Sequence, residues 1–208
     1  QVAIDFERNW LLGKLQMPFL DLAVIKESIK AHLPIPVALA GSGSAIVDLD
    51  GPLNPDKLSF KAKARLYNCR LGDQHFDTAD VDVSSDMGHV VFNSLSLDEK
   101  NSNLVFTGGL DLDQKNYDMH FKSQKYFLDD FEYVKVVNAP AKGLYDLSGA
   151  ISGKFDSQGV DAKFSSNNFS LSGESMSPIH GEMHINHSKK IVTVAGPNEL
   201  KFTYKDFE

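Results

Sequence analysis

Strict alternation is the feature that most restricts the fold of this chain. Leu58, Phe60, Ala62, Ala64 and Leu66 interleave with Lys57, Ser59, Lys61, Lys63 and Arg65, and a period of two puts one set on each face of a strand. The same period returns in Tyr117, Met119 and Phe121 between Asp118, His120 and Lys122, and in Val160, Ala162 and Phe164 around Asp161 and Lys163. It returns again in Met183 and Ile185, and in Leu200, Phe202 and Tyr204. Between the runs lie the turn-forming clusters Gly51-Pro52, Asn54-Pro55-Asp56, Gly72-Asp73, Asp86-Met87-Gly88 and Ser157-Gln158-Gly159. Short strands joined by short turns predict an antiparallel meander.

One region departs from that period. Phe19, Leu22, Ile25, Ile29 and Leu33 repeat at helical spacing behind Pro18, which suits a first helical turn. One short helix near residues 19–33 is predicted, ending at Pro34-Ile35-Pro36; the content of Leu20 to Ile25 also suits a strand.

Charge and composition narrow the function classes. The chain has 208 residues and a formal charge of −7, from 21 Lys+Arg against 28 Asp+Glu without a long run of either sign. Nucleic acid is an unsuitable partner, because neutralising phosphates takes a basic face. The balance also argues against electrostatic docking on an anionic membrane. Cys69 is the single cysteine, so neither an internal disulfide nor a thiolate metal cluster is available. No run approaches the ~20 apolar residues of a membrane span. A soluble internal segment of a longer protein is the expectation.

The sequence also resembles itself. Slid by 102 residues, Gly51 meets Gly153, Leu58 meets Val160, Phe60 meets Ala162, Val81 meets Met183, Val83 meets Ile185 and Val90 meets Val192. Upstream the offset grows to 106 for Gly43 against Gly149, and to 108 for Phe19-Leu20-Asp21 against Phe127-Leu128-Asp129. The reading is a single β-rich body over residues 1–208, built from two approximate repeats of about 17–125 and 126–208.

Phe19-Leu20-Asp21-Leu22, then Leu33-Pro34, then Gly41 to Asp50, then Gly51-Pro52-Leu53-Asn54-Pro55-Asp56 before an alternating strand, resembles the AsmA-like and TamB envelope proteins. Their repeating unit is a glycine, an alternating strand, G-x-L-x-x-P and a further alternating strand. Gly51-Pro52-Leu53-Asn54-Pro55 fits it, and Gly153-Lys154-Phe155-Asp156-Ser157 fits it without the prolines. Tyr67-Asn68-Cys69-Arg70-Leu71-Gly72 and Gly108-Gly109-Leu110-Asp111-Leu112-Asp113 look like later elements of the unit. The resemblance runs from about Met17 to Val194 and includes no catalytic signature. It implies a periplasmic body, anchored elsewhere at the inner membrane, that curls into a groove with an apolar interior. It also implies phospholipid movement between the two membranes of a diderm cell envelope. One branch of the family is associated with outer-membrane biogenesis beside a barrel protein.

The fold class expected on these grounds is mainly β, with antiparallel amphipathic strands in a curled, groove-forming sheet and one short helix. The expected lining is Leu58, Phe60, Leu66, Val81, Val83, Tyr117, Met119, Phe121, Val160, Phe164, Met183, Ile185 and Phe202. Phospholipid acyl chains are the expected partner and an outer-membrane barrel protein a second one, with self-association through open strand edges. No enzyme activity, catalytic residue, metal or cofactor is expected. His180, His184 and His187 do not share a strand face, and the acidic pairs Asp48/Asp50, Asp80/Asp82 and Asp111/Asp113 lack a calcium-loop pattern. Gly41-Ser42-Gly43-Ser44 lacks a phosphate-loop lysine and reads as a turn leading into a strand. Trp10 beside Leu11-Leu12 is either an interface anchor or, by the commoner pattern, core. Two other functions remain open at this point. One is an interaction module for outer-membrane protein assembly by strand addition; the other is a plain structural or adhesive β-sandwich.

Overall fold

A computed structural model of the chain describes residues 2–5, 7–29, 39–54, 57, 59–72, 74–127, 141–154, 157–166, 170–171, 174–175, 179–186, 191–195 and 200–203. In chain order the elements are β1 (Val2–Asp5), β2 (Trp10–Asp21), α1 (Leu22–Ile29), β3 (Leu39–Pro52), β4 (Ser59–Leu71), β5 (Gln74–Asp86), β6 (His89–Glu99), β7 (Ser102–Asp111) and β8 (Asn116–Phe127). They continue as β9 (Ala141–Lys142), β10 (Leu144–Lys154), β11 (Ser157–Ser166), β12 (Ser170–Leu171), β13 (Glu174–Ser175), β14 (Ile179–Asn186), β15 (Ile191–Ala195) and β16 (Leu200–Thr203). The protein is mainly β and antiparallel, as the alternation predicts. Thirteen strands hydrogen-bond in the order β1-β2-β3-β4-β5-β6-β7-β8-β10-β11-β14-β15-β16, and β13-β12-β9 form a small separate sheet. The chain divides into two compact units, residues 1–100 with 107–114 and residues 101–106 with 115–208.

In the first unit the register carries the sequence alternation from β2 to β6. Leu20, Gly43, Leu66, Ala79 and Leu97 are successive cross-strand partners, and so are Met17, Ala45, Ala64, Val81 and Leu95. Leu15, Val47, Ala62, Val83 and Phe92 form a third row. The intervening rows are mainly polar, for example Lys14, Asp48, Lys61 and Ser84, with exposed Val91 completing that row on β6 and Ile46 in the next. Because direct partners share a face, the sheet has one apolar and one charged side.

Burial along the apolar side is graded. Leu20, Leu66, Ala79 and Leu97 are buried, whereas Val47, Ala62, Val83 and Phe92 are only half-buried. The buried end also holds Cys69 and Phe76, direct partners on β4 and β5. They enter because the alternation slips by one residue at Asn68, whose φ of 51° lies in the left-handed region. Helix α1 packs on β3 at this end: a Cβ on Gly41 would lie 3.3 Å from Leu22 Cδ1 and 3.2 Å from Cys69 Sγ. Among the described residues no large side chain is fully enclosed.

Three expectations change. The helix begins at Leu22 rather than at Phe19, because β2 continues through Pro18 to Asp21 with a register shift between Met17 and Leu20. Pro18 has no N–H to give a ladder and is tolerated at that irregularity, and the signal that opens α1 is Asp21, whose Oδ1 accepts the Ala23 N–H at 2.8 Å. Phe19 is 80% exposed and Leu33 lies outside the described residues. Gly41-Ser42-Gly43-Ser44 is strand interior, not a turn. Ser157-Gln158-Gly159 opens β11, paired with Ser152 to Lys154. Asp86-Met87-Gly88 does turn the chain: Met87 and Gly88 have φ of 45° and 88°, as a two-residue hairpin loop requires.

The second unit repeats the row pattern. Met119, Ile151, Val160, Ile185, Val192 and Phe202 are successive register partners, and Phe121, Gly149, Ala162, Met183, Val194 and Leu200 form the next apolar row. Between them runs the polar row His120, Ala150, Asp161, His184, Thr193 and Lys201. Phe121, Tyr126, Tyr145 and Ala162 are its buried apolar residues, with the Phe106 and Phe121 ring centroids 5.9 Å apart.

Candidate functional site

The strongest candidate is the apolar face itself. A sheet with one apolar side has to cover it with another layer or with a ligand. Among its described residues the first unit contains one sheet and one helix, and the helix packs against β3 near Gly41. Four expected lining residues of this unit lie in successive rows of the apolar side. Phe60 sits in the row Gly13, Leu49, Phe60, Ser85 and Val90; Leu66, Val81 and Val83 sit in the three neighbouring rows. Of these only Leu66 is buried, at 4% exposure, and Phe60, Val81 and Val83 are half-buried. Leu58 lies outside the described residues.

In the second unit Met119 and Phe121 begin the two apolar rows and Tyr117 precedes them on β8, opposite Gly153. Tyr117 and Met119 are half-buried and Phe121 is buried. Val160, Phe164, Met183, Ile185 and Phe202 occupy register positions within the apolar rows, Phe164 opposite Leu147 and Gly181. Sequence reasoning missed the partners that make the rows continuous, among them Leu15, Val47, Leu49, Leu95, Leu97, Ile151 and Val192. The signal was present in Ala45, Val47 and Leu49, but Ile46 on the opposite face, 44% exposed, interrupts the alternation.

A glycine in each unit fixes how closely the strands approach. A Cβ on Gly43 would collide with the Arg65 carbonyl and lie 2.8 Å from Leu66 Cα; on Gly149 it would collide with the Asp161 carbonyl and lie 2.9 Å from Ala162 Cα. Both positions therefore exclude any side chain.

The opposite face is charged and self-neutralised. Lys14 pairs with Asp48 at 3.2 Å, Lys63 with Asp82 at 3.1 Å, Arg65 with Asp80 at 3.7 Å and Lys163 with Glu182 at 2.8 Å. Asp82 also accepts the Asn93 side-chain amide at 3.0 Å, and this bond, then that from Lys63, holds its carboxyl below the usual range. Among the described residues, concavities of about 890 and 870 Å³ are furrows between rows of this face in the first unit, and one of about 470 Å³ lies beside Lys122, Asp146 and Lys163 in the second. The charged residues among the lining of the 890 Å³ furrow are Lys63, Arg65, Asp80 and Asp82, whose formal charges cancel, so it carries no net charge to attract a charged ligand. Phe60 and Val81 border these furrows while their rows belong to the apolar side.

The other sequence candidates resolve individually. Asp48 faces Lys14, and Asp111 accepts the Gln114 N–H at 2.8 Å with His89 at 3.4 Å. Trp10 is 40% exposed, not core, and its Nε1–H donates to Asp50 at 3.0 Å. Cys69 is buried, and burial pushes its thiol up. His180 and His184 stand opposite Ser165 and Asp161 in the register, and His187 lies outside the described residues. No helix among the described residues is long and apolar enough to cross a membrane. No family model, curated protein or solved structure matches the chain.

Proposed function

We propose that the apolar face of the sheet binds lipid acyl chains and that the chain is a non-enzymatic segment of a bridge-like protein. In this reading it carries phospholipids between the inner and outer membranes, through the periplasm, along a groove formed by the curl of the sheet. The observation that carries the reading is the unbroken succession of apolar rows, enclosed at the α1 end and half-exposed along Val47, Ala62, Val83 and Phe92. The likeness of the glycine-proline strand motifs to AsmA-like and TamB proteins supports the same reading.

The energetics suit passage rather than storage. Each buried methylene contributes about 0.8 kcal/mol, so a dozen give a gross gain on the order of 10 kcal/mol before ordering costs reduce it. Such contacts are non-directional and accept many chain types, with headgroups left in water.

The test is native mass spectrometry and lipid extraction of the gently purified chain beside Phe60→Asp, chosen because Phe60 is half-buried. Co-purified phospholipid that the folded variant loses supports the groove. A wild-type chain that is clean and takes up no added lipid, with a variant that unfolds, makes these residues core and ends the lipid reading. A second reading has its own observation: β1 ends the strand order and carries Ile4 at 46% exposure. That edge suits strand addition to a client or barrel protein in outer-membrane protein assembly, and a β1-strand peptide competing for the partner would support it.

A further inference from the structure

At the buried end of the first unit three metal-ligating side chains converge. Thr78 pairs with Asp98 across β5 and β6. One step along both strands brings Asp77 opposite Glu99, with His75 on the diagonal two residues back. Directly opposed and diagonal positions are the ones whose side chains meet. One donor atom from each of His75, Asp77 and Glu99 lies within 4.8 Å of the others. We propose that these three residues bind a divalent transition-metal ion.

The chemistry follows from the donor set. His75 Nδ1 and Glu99 Oε2 are 3.0 Å apart, close to the separation of two ligands that each stand about 2.0–2.2 Å from one ion. An imidazole nitrogen with two carboxylates suits Zn²⁺ or a neighbouring first-row ion better than Ca²⁺ or Mg²⁺, which prefer all-oxygen sets. The Glu99 side chain is 7% exposed, and a carboxylate so placed needs compensation. At present it receives a hydrogen bond or ion pair from His75 and the Lys100 ammonium at 3.4 Å, on a side chain 53% exposed. Asp77 Oδ2 accepts the Lys100 backbone N–H at 2.8 Å, which fixes its carboxylate at the mouth of the cluster. An ion takes the position between His75 Nδ1 and Glu99 Oε2 and displaces the Lys100 ammonium towards water. Three protein ligands leave a coordination position for water. Nothing in this arrangement depends on the apolar face or on a lipid.

The experiment titrates Zn²⁺ into the full chain, followed by calorimetry and by the histidine ring resonances, with His75 assigned through His75→Ala. One equivalent should bind, moving the His75 resonances in step. His75→Ala and Glu99→Gln should weaken binding by about tenfold or more, and Lys100→Met should tighten it severalfold by removing the competing cation. The proposal is overturned if the His75 resonances do not move in excess Zn²⁺. It is equally overturned if His75→Ala binds Zn²⁺ as tightly as the unaltered chain, which places the ion on other histidines, or if Lys100→Met weakens it. Should Glu99→Gln fail to fold, the wild-type His75 resonances and Lys100→Met still decide.

Discussion

Gly43 in the first unit and Gly149 in the second solve the same packing problem with different neighbours. Gly43 stands between Leu20 and Leu66 in the register, with aliphatic cover from both sides. Gly149 stands between Phe121 and Ala162, and Phe121 Cζ would lie 2.6 Å from a Cβ placed there. One aromatic ring over a glycine beside an alanine replaces two leucines. Large and small residues must alternate across a closely spaced sheet for a single layer to close over its own backbone. The units also differ in regularity. The first has register shifts at Met17/Leu20, Ala40/Ser42 and Asp82/Val83, whereas the pairings of β8, β10 and β11 shift at Tyr145/Leu147. Bulges re-aim side chains and add twist; in the first unit those at Met17/Leu20 and Ala40/Ser42 flank the row where Leu20, Leu66 and Leu97 are buried, and the one at Asp82/Val83 falls beside the half-buried Val83 and Phe92.

Truncation at these points separates the two solutions most strongly. Leu66→Ala should cost about 2–5 kcal/mol and Phe121→Ala about 3–5 kcal/mol in denaturant melts. Phe60→Ala, from a half-exposed position, should fall well below either. Gly43→Ala and Gly149→Ala should each cost about 1–3 kcal/mol through forced backbone movement. Gly149→Ala should remain destabilising when combined with Phe121→Ala, because the Asp161 carbonyl still blocks the new methyl. Rescue by Phe121→Ala would instead make the ring the sole obstacle and set the second unit apart from the first.

Much of this architecture is legible in the sequence for a definite reason. Leu58 to Leu66 is amphipathic at period two, so strand, face and antiparallel neighbour follow from one pattern. Gly43 against Gly149 came from self-comparison, and both prove to be positions that a side chain cannot occupy. Legibility fails where tertiary geometry interrupts the period. Asn68 reverses the alternation with a single left-handed residue, Pro18 marks a strand irregularity rather than a helix start, and Asp21 caps α1 through a contact that helical spacing does not encode. The cluster of His75, Asp77 and Glu99 was illegible because its third member comes from the next strand and depends on a register that the sequence does not state.

Each unit carries a buried titratable reporter that sharpens the comparison at smaller amplitude. Burial pushes the Tyr145 phenol up to about 12 and raises Tyr117 as well. Since the folded state holds the proton more tightly, this contribution is complete below the ordinary tyrosine value and is lost as pH rises from there through about 12. Ultraviolet titration of tyrosinate should therefore show a step near 12, well above an ordinary tyrosine, and Tyr145→Phe should remove it. In the first unit the raised thiol of Cys69 should react with a thiol reagent far more slowly than free cysteine. Gly43→Ala should accelerate it while Gly149→Ala leaves it unchanged.

The charged face should yield the smallest effects, and their order matters more than their size. Asp82 is held low first by the Asn93 hydrogen bond and then by Lys63; Lys163 is held high first by its hydrogen bond to Glu182. A depressed carboxyl contributes above its ordinary value and loses that contribution as pH falls through the lowered one. A raised lysine contributes below its ordinary value and loses the contribution as pH climbs through the raised one. Between those extremes both pairs are intact and exposed, so Lys63→Met or Glu182→Gln should leave a denaturant melt at neutral pH unchanged within error. Carboxyl-carbon NMR should find Asp82 moving up more in Asn93→Ala than in Lys63→Met. The reverse order would mean that charge, not the hydrogen bond, sets this carboxyl. The ion-pair rows would then act as a coupled array, and the self-neutralised face would be a stronger organiser of the first unit than its exposure implies.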